Sequence, residues 1–520
     1  MSIAVPGKRW GIAPGRSRWL QSILKASNPH FSRTIFNVTK NSLFNDFQVA
    51  HHLLTIVVYF VGNSFLDGGV SMIRLLIIGG SDAGISAAMA AREINPGAEV
   101  RVLVADHFPN FSICGIPFFL SGEVTDWRSL FHRSANDLRA LGIDLLLNHR
   151  ATSIDPVSRN VSVEHDGHMQ QFPFDRLIIC TGALSTGPVI PGMNRSGVHH
   201  LRWMKDCFAI LRHLEGHDVR HAVIIGSGYI AVEMADAFTK RGVATTVLAR
   251  SGSILRRSVD PVLGDLVAAE MEKNSVRVMK KVTVSAIEQK EGRINVKGEG
   301  FEIPCDVVLL ATGAIPRTDV ARATGVATGI KGAIQVNSAM ETNLPHVFAA
   351  GDCVETLHRL LQEPSYLPLG TTAHKQGRVA GINAAGGHVE FAGSLGTQVV
   401  KVFDMVVGCS GLRDPEARKA GFEPLTVETE TWDHKAYYPE ARKLHIRITG
   451  DRKSWRLLGV QMAGPYGSEV AKRIDVFAAS LFNEMRVDDL LDLDLSYTPP
   501  LSSPWDPIHE AAMQWLKGQG

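Results

Sequence analysis

Apolar runs recur along the chain, each followed by a glycine-rich turn and a helix-forming stretch. Residues 73–78 are apolar except for one arginine and predict a buried strand. After the turn at 79–84, the alanine-rich stretch 85–92 predicts a helix, and residues 100–104 predict a second strand. Buried strands that alternate with helices are typical of a parallel sheet.

The same pattern returns about 150 residues later. Residues 222–225 predict a strand and 226–231 a glycine-containing turn. The following helix should run to residue 241, with Gly242 as its stop, before a strand at 245–248. The sequence therefore predicts two similar strand–turn–helix units.

The last part of the chain has a different pattern. From about residue 396 strands such as 443–448 precede an amphipathic helix predicted at 470–485. Its apolar stripe, which we interpret as packing, consists of Val470, Ile474, Phe477, Leu481 and Met485. This part predicts a separate α+β domain.

Composition narrows the class of protein. The 520 residues are 45% hydrophobic, enough for several domains, and Lys+Arg 54 against Asp+Glu 52 gives a net charge of +2. That balance gives no reason to expect nucleic acid as a partner. Six scattered cysteines without a C-x-x-C pair predict free thiols, a cytoplasmic location and no metal site.

The N-terminal 71 residues are excluded from the predicted fold. The longest apolar run, residues 53–61, is too short to cross a bilayer, so no membrane association is expected. The first 45 residues are basic and lack acids, as in a transit or signal peptide. We favour the alternative that translation begins at Met72, because a core strand follows at once.

Each glycine-rich turn has the features of a pyrophosphate-binding loop, in which backbone N–H groups and a helix N-terminus face the negative charge. One such turn is weak evidence, but two in the same structural context are strong evidence. In the second turn Gly226 and Gly228 are kept. The predicted contacts in the first turn are Gly79, Gly80, Ser81, Ala83 and Gly84.

The end of the second unit's second strand bears on the choice of nucleotide. A carboxylate there would bind the ribose 2′-hydroxyl of NADH. This chain has Ala249 and Arg250 instead, with Arg256 and Arg257 nearby. Arginine suits a 2′-phosphate, so NADPH is favoured over NADH. The alternative is that Arg250 is an ordinary solvated charge.

Two further features suggest redox chemistry. Gly351 and Asp352 follow an apolar strand, where a carboxylate can bind a polyol chain. Cys114 lies ten residues beyond the second strand of the first unit, on the side of the sheet where a cofactor sits. A thiol at such a place can form a mixed disulfide with a substrate.

Together these residues resemble the pyridine nucleotide-disulfide oxidoreductase family, and within it the single-cysteine branch of coenzyme A-disulfide reductase, NADH oxidase and NADH peroxidase. The segments 434–439 and 493–500 resemble that branch's dimerisation domain. The resemblance implies FAD on Asp352 and a homodimer in which Tyr438, or Tyr437, and Tyr497 reach the partner's active site. It also implies cofactor contacts for Asp106, Gly182, Tyr229, Ile230, Glu233, Gly313 and Ala373.

Some positions depart from the branch. Phe119 replaces the second cysteine of the glutathione-reductase type and excludes that type. Asp82 stands where oxidases and peroxidases carry a proton-donating histidine, which argues against reduction of O₂ or peroxide. Asn110, Ile113 and Phe118 depart from the pattern of the coenzyme A-disulfide reductases and argue against coenzyme A itself.

The predicted fold class is α/β, with two Rossmann-like domains and a C-terminal α+β dimerisation domain. We expect residues 72–190 and 315–393 to bind FAD, 191–314 to bind NADPH or NADH, and 394–520 to dimerise. The expected activity is reduction of a small disulfide, persulfide or polysulfide through Cys114. The alternatives are an NAD(P)H oxidase that uses O₂ and a flavin-binding redox sensor or electron-transfer partner.

Overall fold

The computed structural model describes residues 72–187, 189–290 and 292–519. The interpretation of residues 1–71 lies outside these ranges. The described strands are β1 (Arg74–Ile78), β2 (Glu99–Leu103), β3 (Ile143–Leu146), β4 (Arg150–Asp155), β5 (Asn160–His165), β6 (His168–Pro173), β7 (Arg176–Ile179), β8 (Ala183–Ser185), β9 (Val198–His199), β10 (His221–Ile225), β11 (Ala244–Ala249), β12 (Arg277–Lys280), β13 (Val284–Lys290), β14 (Arg293–Gly298), β15 (Phe301–Cys305), β16 (Val307–Leu310), β17 (Ala314–Pro316), β18 (Val347–Ala349), β19 (Thr356–His358), β20 (Glu363–Ser365), β21 (Gln398–Val402), β22 (Met405–Gly411), β23 (Pro424–Trp432), β24 (Lys443–Asp451) and β25 (Leu457–Pro465). The described α-helices are α1 (Asp82–Ile94), α2 (Ile116–Ser121), α3 (Ala135–Ala140), α4 (Met204–Gly216), α5 (Tyr229–Lys240), α6 (Pro261–Lys273), α7 (Asp319–Arg322), α8 (Gly370–Ala384), α9 (Asp414–Lys419), α10 (Val470–Phe482) and α11 (Pro507–Lys517).

The first parallel sheet is built from two distant parts of the chain. Its strand order is β18-β7-β1-β2-β3, and every neighbouring pair is parallel. The central strand β1 is buried from Leu75 to Ile78, as its apolar sequence predicts. The edge strand β18 comes from much later in the chain than its neighbour β7, so an inserted segment separates the two parts of this sheet.

Helices α1 and α8 pack directly against each other on this sheet. Two glycines of α8 allow the close approach, because a Cβ on Gly377 or Gly381 would overlap the carbonyl oxygen of Ala83 or Ala87 in α1. This contact fixes the position of the first glycine-rich turn, which ends where α1 begins, relative to α8.

The inserted segment forms the second parallel sheet, in the order β12-β11-β10-β16-β9. Helix α5 follows β10 through the turn at Gly226 and ends at Lys240, one residue before the predicted end. Two three-stranded antiparallel sheets, β4-β5-β6 and β13-β14-β15, accompany the parallel sheets. The chain leaves the first sheet through β8, which follows β7, and returns through β17, which follows β16. These two short strands pair antiparallel with each other.

The C-terminal part contains a five-stranded antiparallel sheet in the order β21-β22-β25-β24-β23. Helix α10 packs on it through four of the predicted stripe residues, including the fully buried Phe477 and Leu481. The prediction that this helix continues to residue 485 is wrong. It ends at Phe482, because Asn483 caps it and Glu484 has a positive φ of 57°.

These sheets confirm the predicted fold class, with two parallel Rossmann-like sheets and a C-terminal α+β part. Within the ranges that the structure describes, the helices are too short or too polar to span a bilayer.

Candidate active site

A cavity of about 2080 Å³ brings both glycine-rich turns together with Cys114. Most of the predicted site residues line it, although Gly79 and Ala373 are 294 positions apart in the chain. Those residues are Gly79, Gly80, Ser81, Ala83, Asp106, Cys114, Gly182, Gly226, Gly228, Tyr229, Ile230, Glu233, Arg250, Gly313, Gly351, Asp352 and Ala373.

Three predicted site residues do not line the cavity. Gly84 is buried behind the first turn, where a Cβ would overlap the carbonyl oxygen of Gly79, so its role is the close packing of α1 against the turn. Tyr438 and Tyr497 lie on the surface of the C-terminal part and are 42% and 45% exposed. Their predicted action in a partner subunit stays a prediction.

The first turn has the backbone geometry of a phosphate-binding loop. Gly79 has a φ of 115°, and a Cβ at this position would overlap the carbonyl of Cys180. Ser81 occupies the N-cap of α1, but its side chain makes no capping hydrogen bond. The N–H groups of the first turn of α1 are therefore available to an anion.

The second turn repeats this arrangement. Gly226 has a φ of 138° and lies against Ala311, where a Cβ would overlap the carbonyl oxygen. Gly228 caps α5 without a side-chain hydrogen bond, and apart from its chain neighbours no described atom lies within 4 Å of where its Cβ would be. The space in front of α5 is thus open for a second dinucleotide.

Cys114 lies in a one-turn 3₁₀ helix, Ile113–Gly115, that leads into α2. Ser112 fixes this turn, because its Oγ accepts a hydrogen bond from the N–H of Gly115 at 3.1 Å. All six cysteines are free thiols; Cys114 is exposed and the other five are buried. Cys180 also lines the cavity but is buried, so Cys114 is the exposed thiol that a substrate in the cavity meets.

The protein groups around Cys114 disfavour the thiolate form of its side chain. Burial by the cavity walls raises the pKa of the thiol, and the carboxyl groups of Glu233, Asp82 and Asp352 raise it further. Arg202 acts in the opposite direction. The side chains around Cys114 therefore do not by themselves hold it as the thiolate.

Two of these carboxyl groups have perturbed protonation themselves. Burial, with a contribution from Asp236, raises the pKa of Glu233 to about 7. Burial also raises the pKa of Asp82, against the opposing charges of His374 and His132. Both groups can therefore change protonation closer to neutral pH than an ordinary carboxyl group.

Sequence reasoning missed Arg202. Its guanidinium nitrogen Nη2 lies 2.7 Å from Oδ2 of Asp352, and both side chains are largely buried. The two residues are 150 positions apart, in the loop before α4 and the loop after β18. Because no local pattern marks Arg202, only the topology of the folded chain reveals the pair.

The lining fits a bound flavin dinucleotide. Nε of Arg202, which lines the cavity, is a buried hydrogen-bond donor with no partner among the described residues; Nδ2 of Asn110 is another such donor but lies outside the lining. Gly351 has a φ of 85°, and a Cβ there would come within 2.8 Å of the Cβ of Ala83. Unpaired donors, a bare helix N-terminus and glycines at close approaches are what a pyrophosphate and a polyol chain require.

The second turn faces a basic region of the same cavity. Arg250 follows directly after β11, and Arg256 and Arg257 also line the cavity. Ala249, which occupies the place of a ribose-binding acid, is fully buried. This end of the cavity is suited to a phosphate group.

Comparison with known proteins places this arrangement among redox enzymes. The chain is 34% identical over 435 residues to the NAD(P)H coenzyme A polysulfide/persulfide reductase of Pyrococcus horikoshii, covering 84% of this chain and 96% of that protein. Its fold matches the NAD-dependent persulfide reductase of A. fulgidus with a TM-score of 0.83 and 31% identity, over 86% of this chain and 84% of the other.

A third similar structure is an engineered water-forming NADPH oxidase bound to NADPH, which carries five substitutions. It has a TM-score of 0.82 and 25% identity, and the match covers 86% of this chain and 99% of that chain. The engineered oxidase and the two reductases thus differ in the activities that their names state.

The family models cover most of the described chain. Residues 73–377 match the model of the pyridine nucleotide-disulphide oxidoreductases, and residues 397–507 match the dimerisation domain of the same group. The predicted resemblance is confirmed: this chain belongs to the pyridine nucleotide-disulphide oxidoreductase family, whose members are FAD-dependent NAD(P)H oxidoreductases.

Proposed function

We propose that this protein uses NADPH to reduce a low-molecular-weight disulfide, persulfide or polysulfide, with Cys114 as the redox thiol. The observation that carries the proposal is the exposure of Cys114 to the cavity that both dinucleotide turns share, while the other five cysteines are buried. Similarity to reductases of persulfide and polysulfide supports this class of substrate.

Cys114 would act as the nucleophile. Its thiolate attacks one sulfur of the substrate, the substrate S–S bond breaks, and the other half leaves as a thiolate that takes up a proton. When bound, FAD and NADPH supply the hydride chemistry that provides the two electrons. Two-electron reduction of the mixed disulfide on Cys114 releases the second thiol and regenerates the Cys114 thiolate.

We propose NADPH rather than NADH as the nucleotide, because five residues of this chain match the substitutions of the NADPH oxidase that was engineered. The substitutions in the engineered NADPH oxidase introduce Ala, Ala, Arg, Ser and Arg at successive intervals of 18, 1, 1 and 5 positions. This chain carries the same residue types at the same intervals. They are Ala231, Ala249, Arg250, Ser251 and Arg256.

We further propose that residues 72–190 and 315–393 hold FAD, that 191–314 hold NADPH, and that 394–520 form a homodimer interface. The exposed Tyr438 and Tyr497 would then complete the substrate pocket of the partner. The match of residues 397–507 to a dimerisation domain supports this assembly. Six free thiols favour a reducing compartment such as the cytoplasm.

Anaerobic stopped-flow spectroscopy tests the activity. The FAD-loaded protein is first mixed with NADPH, and the reduced protein is then mixed with coenzyme A disulfide, polysulfide or oxygenated buffer. Rapid reoxidation by a sulfur compound and slow reoxidation by O₂ are expected. Fast reoxidation by O₂ alone would establish an oxidase, and no reoxidation by any small acceptor would favour the sensor or electron-transfer function.

A further inference from the structure

Two histidines and an aspartate from three separate segments meet at the rim of the cavity. Asp82 is the first residue of α1, His374 belongs to α8, and His132 follows the 3₁₀ helix Trp127–Leu130. One ligand atom from each residue can be chosen such that all three lie within 4.8 Å of one another. The cysteine pattern gave no sign of this cluster, and the sequence prediction included no metal ligand.

The backbone holds the three side chains together. The glycine contacts between α1 and α8 keep Asp82 close to His374. The backbone N–H of His132 donates to the carbonyl oxygen of Asn110 at 3.0 Å, beside the bridge between Phe111 and Phe131. The cluster is therefore set by the packing of the first sheet and does not depend on a flexible loop tip.

The aspartate lacks a hydrogen-bond partner for one oxygen. Oδ1 of Asp82 is buried and makes no hydrogen bond with the described residues. It lies 3.5 Å from Nε2 of His374, which is too far for a good hydrogen bond. A buried acceptor without a donor is costly, so a cation in this place would relieve that cost.

The other nitrogen of His374 is held as in many metal sites. Nδ1 of His374 lies 2.8 Å from Oγ of Ser86, one turn along α1 from Asp82. If Nδ1 donates its proton to Ser86, Nε2 is left with a free lone pair facing Asp82. A histidine that binds a metal usually donates its second ring N–H to a carboxylate, a backbone carbonyl or water, and the hydroxyl of Ser86 takes that place here.

We propose that Asp82, His132 and His374 bind a divalent transition-metal ion of the zinc class at the rim of the cavity. Imidazole and carboxylate together favour zinc over magnesium or calcium. In a tetrahedral site, zinc–ligand bonds of about 2.1 Å place the ligand atoms about 3.4 Å apart, so the exposed imidazoles must close by up to about 1.4 Å. This site does not depend on the identity of the substrate.

Three protein ligands leave one position on the ion for a water molecule or a thiolate. Asp82 and Cys114 line the same cavity and are close enough for the charge of Asp82 to act on the thiol, so a thiol bound at Cys114 lies near the ion. Zinc is therefore expected to act as a reversible inhibitor of thiol-dependent turnover.

Isothermal titration calorimetry of the full-length, FAD-loaded, EDTA-treated protein with ZnCl₂ tests the site. One ion per chain is expected, with micromolar or tighter affinity and no comparable binding of MgCl₂. His132→Gln and His374→Gln should each weaken zinc binding at least tenfold. His388→Gln, which changes an exposed histidine elsewhere, should leave it unchanged.

Two results would overturn the site. One is zinc binding that His132→Gln and His374→Gln leave at the wild-type affinity, since Asp82 and His374 would then form only an ion pair. The other is binding that disappears in Cys114→Ser, because the thiol itself would then be the ligand. Flavin absorbance and Tm of each variant show whether it remains folded.

Discussion

At the scale of single residues, Cys114 combines exposure with acidic surroundings. A serine in its place should keep FAD binding and reduction by NADPH, because these depend on the two glycine-rich turns. Turnover of disulfide or polysulfide should fall by at least ~10³-fold, about 4 kcal/mol in transition-state free energy, since a hydroxyl is too weakly acidic to replace a thiolate. Steady-state kinetics measures the loss, and undiminished disulfide turnover would refute the role of Cys114.

The acidic surroundings predict how the reactivity of Cys114 depends on pH. Burial and nearby carboxylates raise its pKa, so alkylation by iodoacetamide should increase with pH through a midpoint above the ordinary value for a thiol. Glu233 has a pKa of about 7 and is ionised in that range, where its charge disfavours the thiolate.

Glu233→Gln should therefore move the alkylation midpoint of Cys114 to lower pH. Rates measured between pH 6 and 11 on the same protein preparation locate the midpoint, and Glu215→Gln, which changes an exposed acid on α4, is the matched control. An unchanged midpoint would mean that Glu233 does not influence the thiol.

The nucleotide preference also depends on single side chains. Replacing Ala249 with Asp and Arg250 with Ala should lower the ratio of kcat/KM for NADPH to that for NADH at least tenfold, about 1.4 kcal/mol. The new carboxylate would bind a ribose hydroxyl and repel a 2′-phosphate. Arg212→Ala, on the surface of α4, should leave the ratio as it is; a ratio that the double variant does not change contradicts the assignment.

At the scale of secondary-structure elements, the contact between α1 and α8 determines where the first turn lies. Gly377→Ala should push the two helices apart, because the added methyl group meets the backbone of Ala83. Such overpacking typically costs about 1–3 kcal/mol, so both Tm and the retention of FAD should fall. Gly216→Ala, at a helix end with open space around it, is the control, and equal Tm values for both variants would contradict this expectation.

The same scale shows what the sequence could predict. The strands of both parallel units lie within one residue of their predicted bounds, because continuous apolar runs are local signals. Both turns are shorter than predicted, since α1 and α5 begin three residues earlier, at Asp82 and Tyr229. The end of α10 was missed, since Asn483 and Glu484 terminate it where the apolar stripe still continues to Met485. The pairing of Arg202 with Asp352 and the meeting of His132 with His374 depend on tertiary topology, which no local pattern encodes.

At the scale of the whole molecule, the proposed homodimer can be tested by complementation. Cys114→Ser and the double variant Tyr438→Phe, Tyr497→Phe should each have low disulfide turnover alone. If the tyrosines act on the partner's cysteine, a mixed dimer contains one intact site and recovers up to about half of the wild-type activity per dimer. Co-expression with two affinity tags isolates the mixed dimer, and no recovery would place the tyrosines in their own subunit's site.

The split construction of the first sheet has a consequence for biosynthesis. During translation β7 is complete long before its outer neighbour β18, whose first residue, Val347, follows Ile179 by 168 positions. At about 5–20 residues per second the ribosome needs roughly 10 to 30 s to cover that distance. Throughout this interval β7 presents an unpaired, apolar edge that can pair with another nascent chain. Aggregation during expression should therefore depend on how fast residues 180–349 are translated and on whether a chaperone covers that edge.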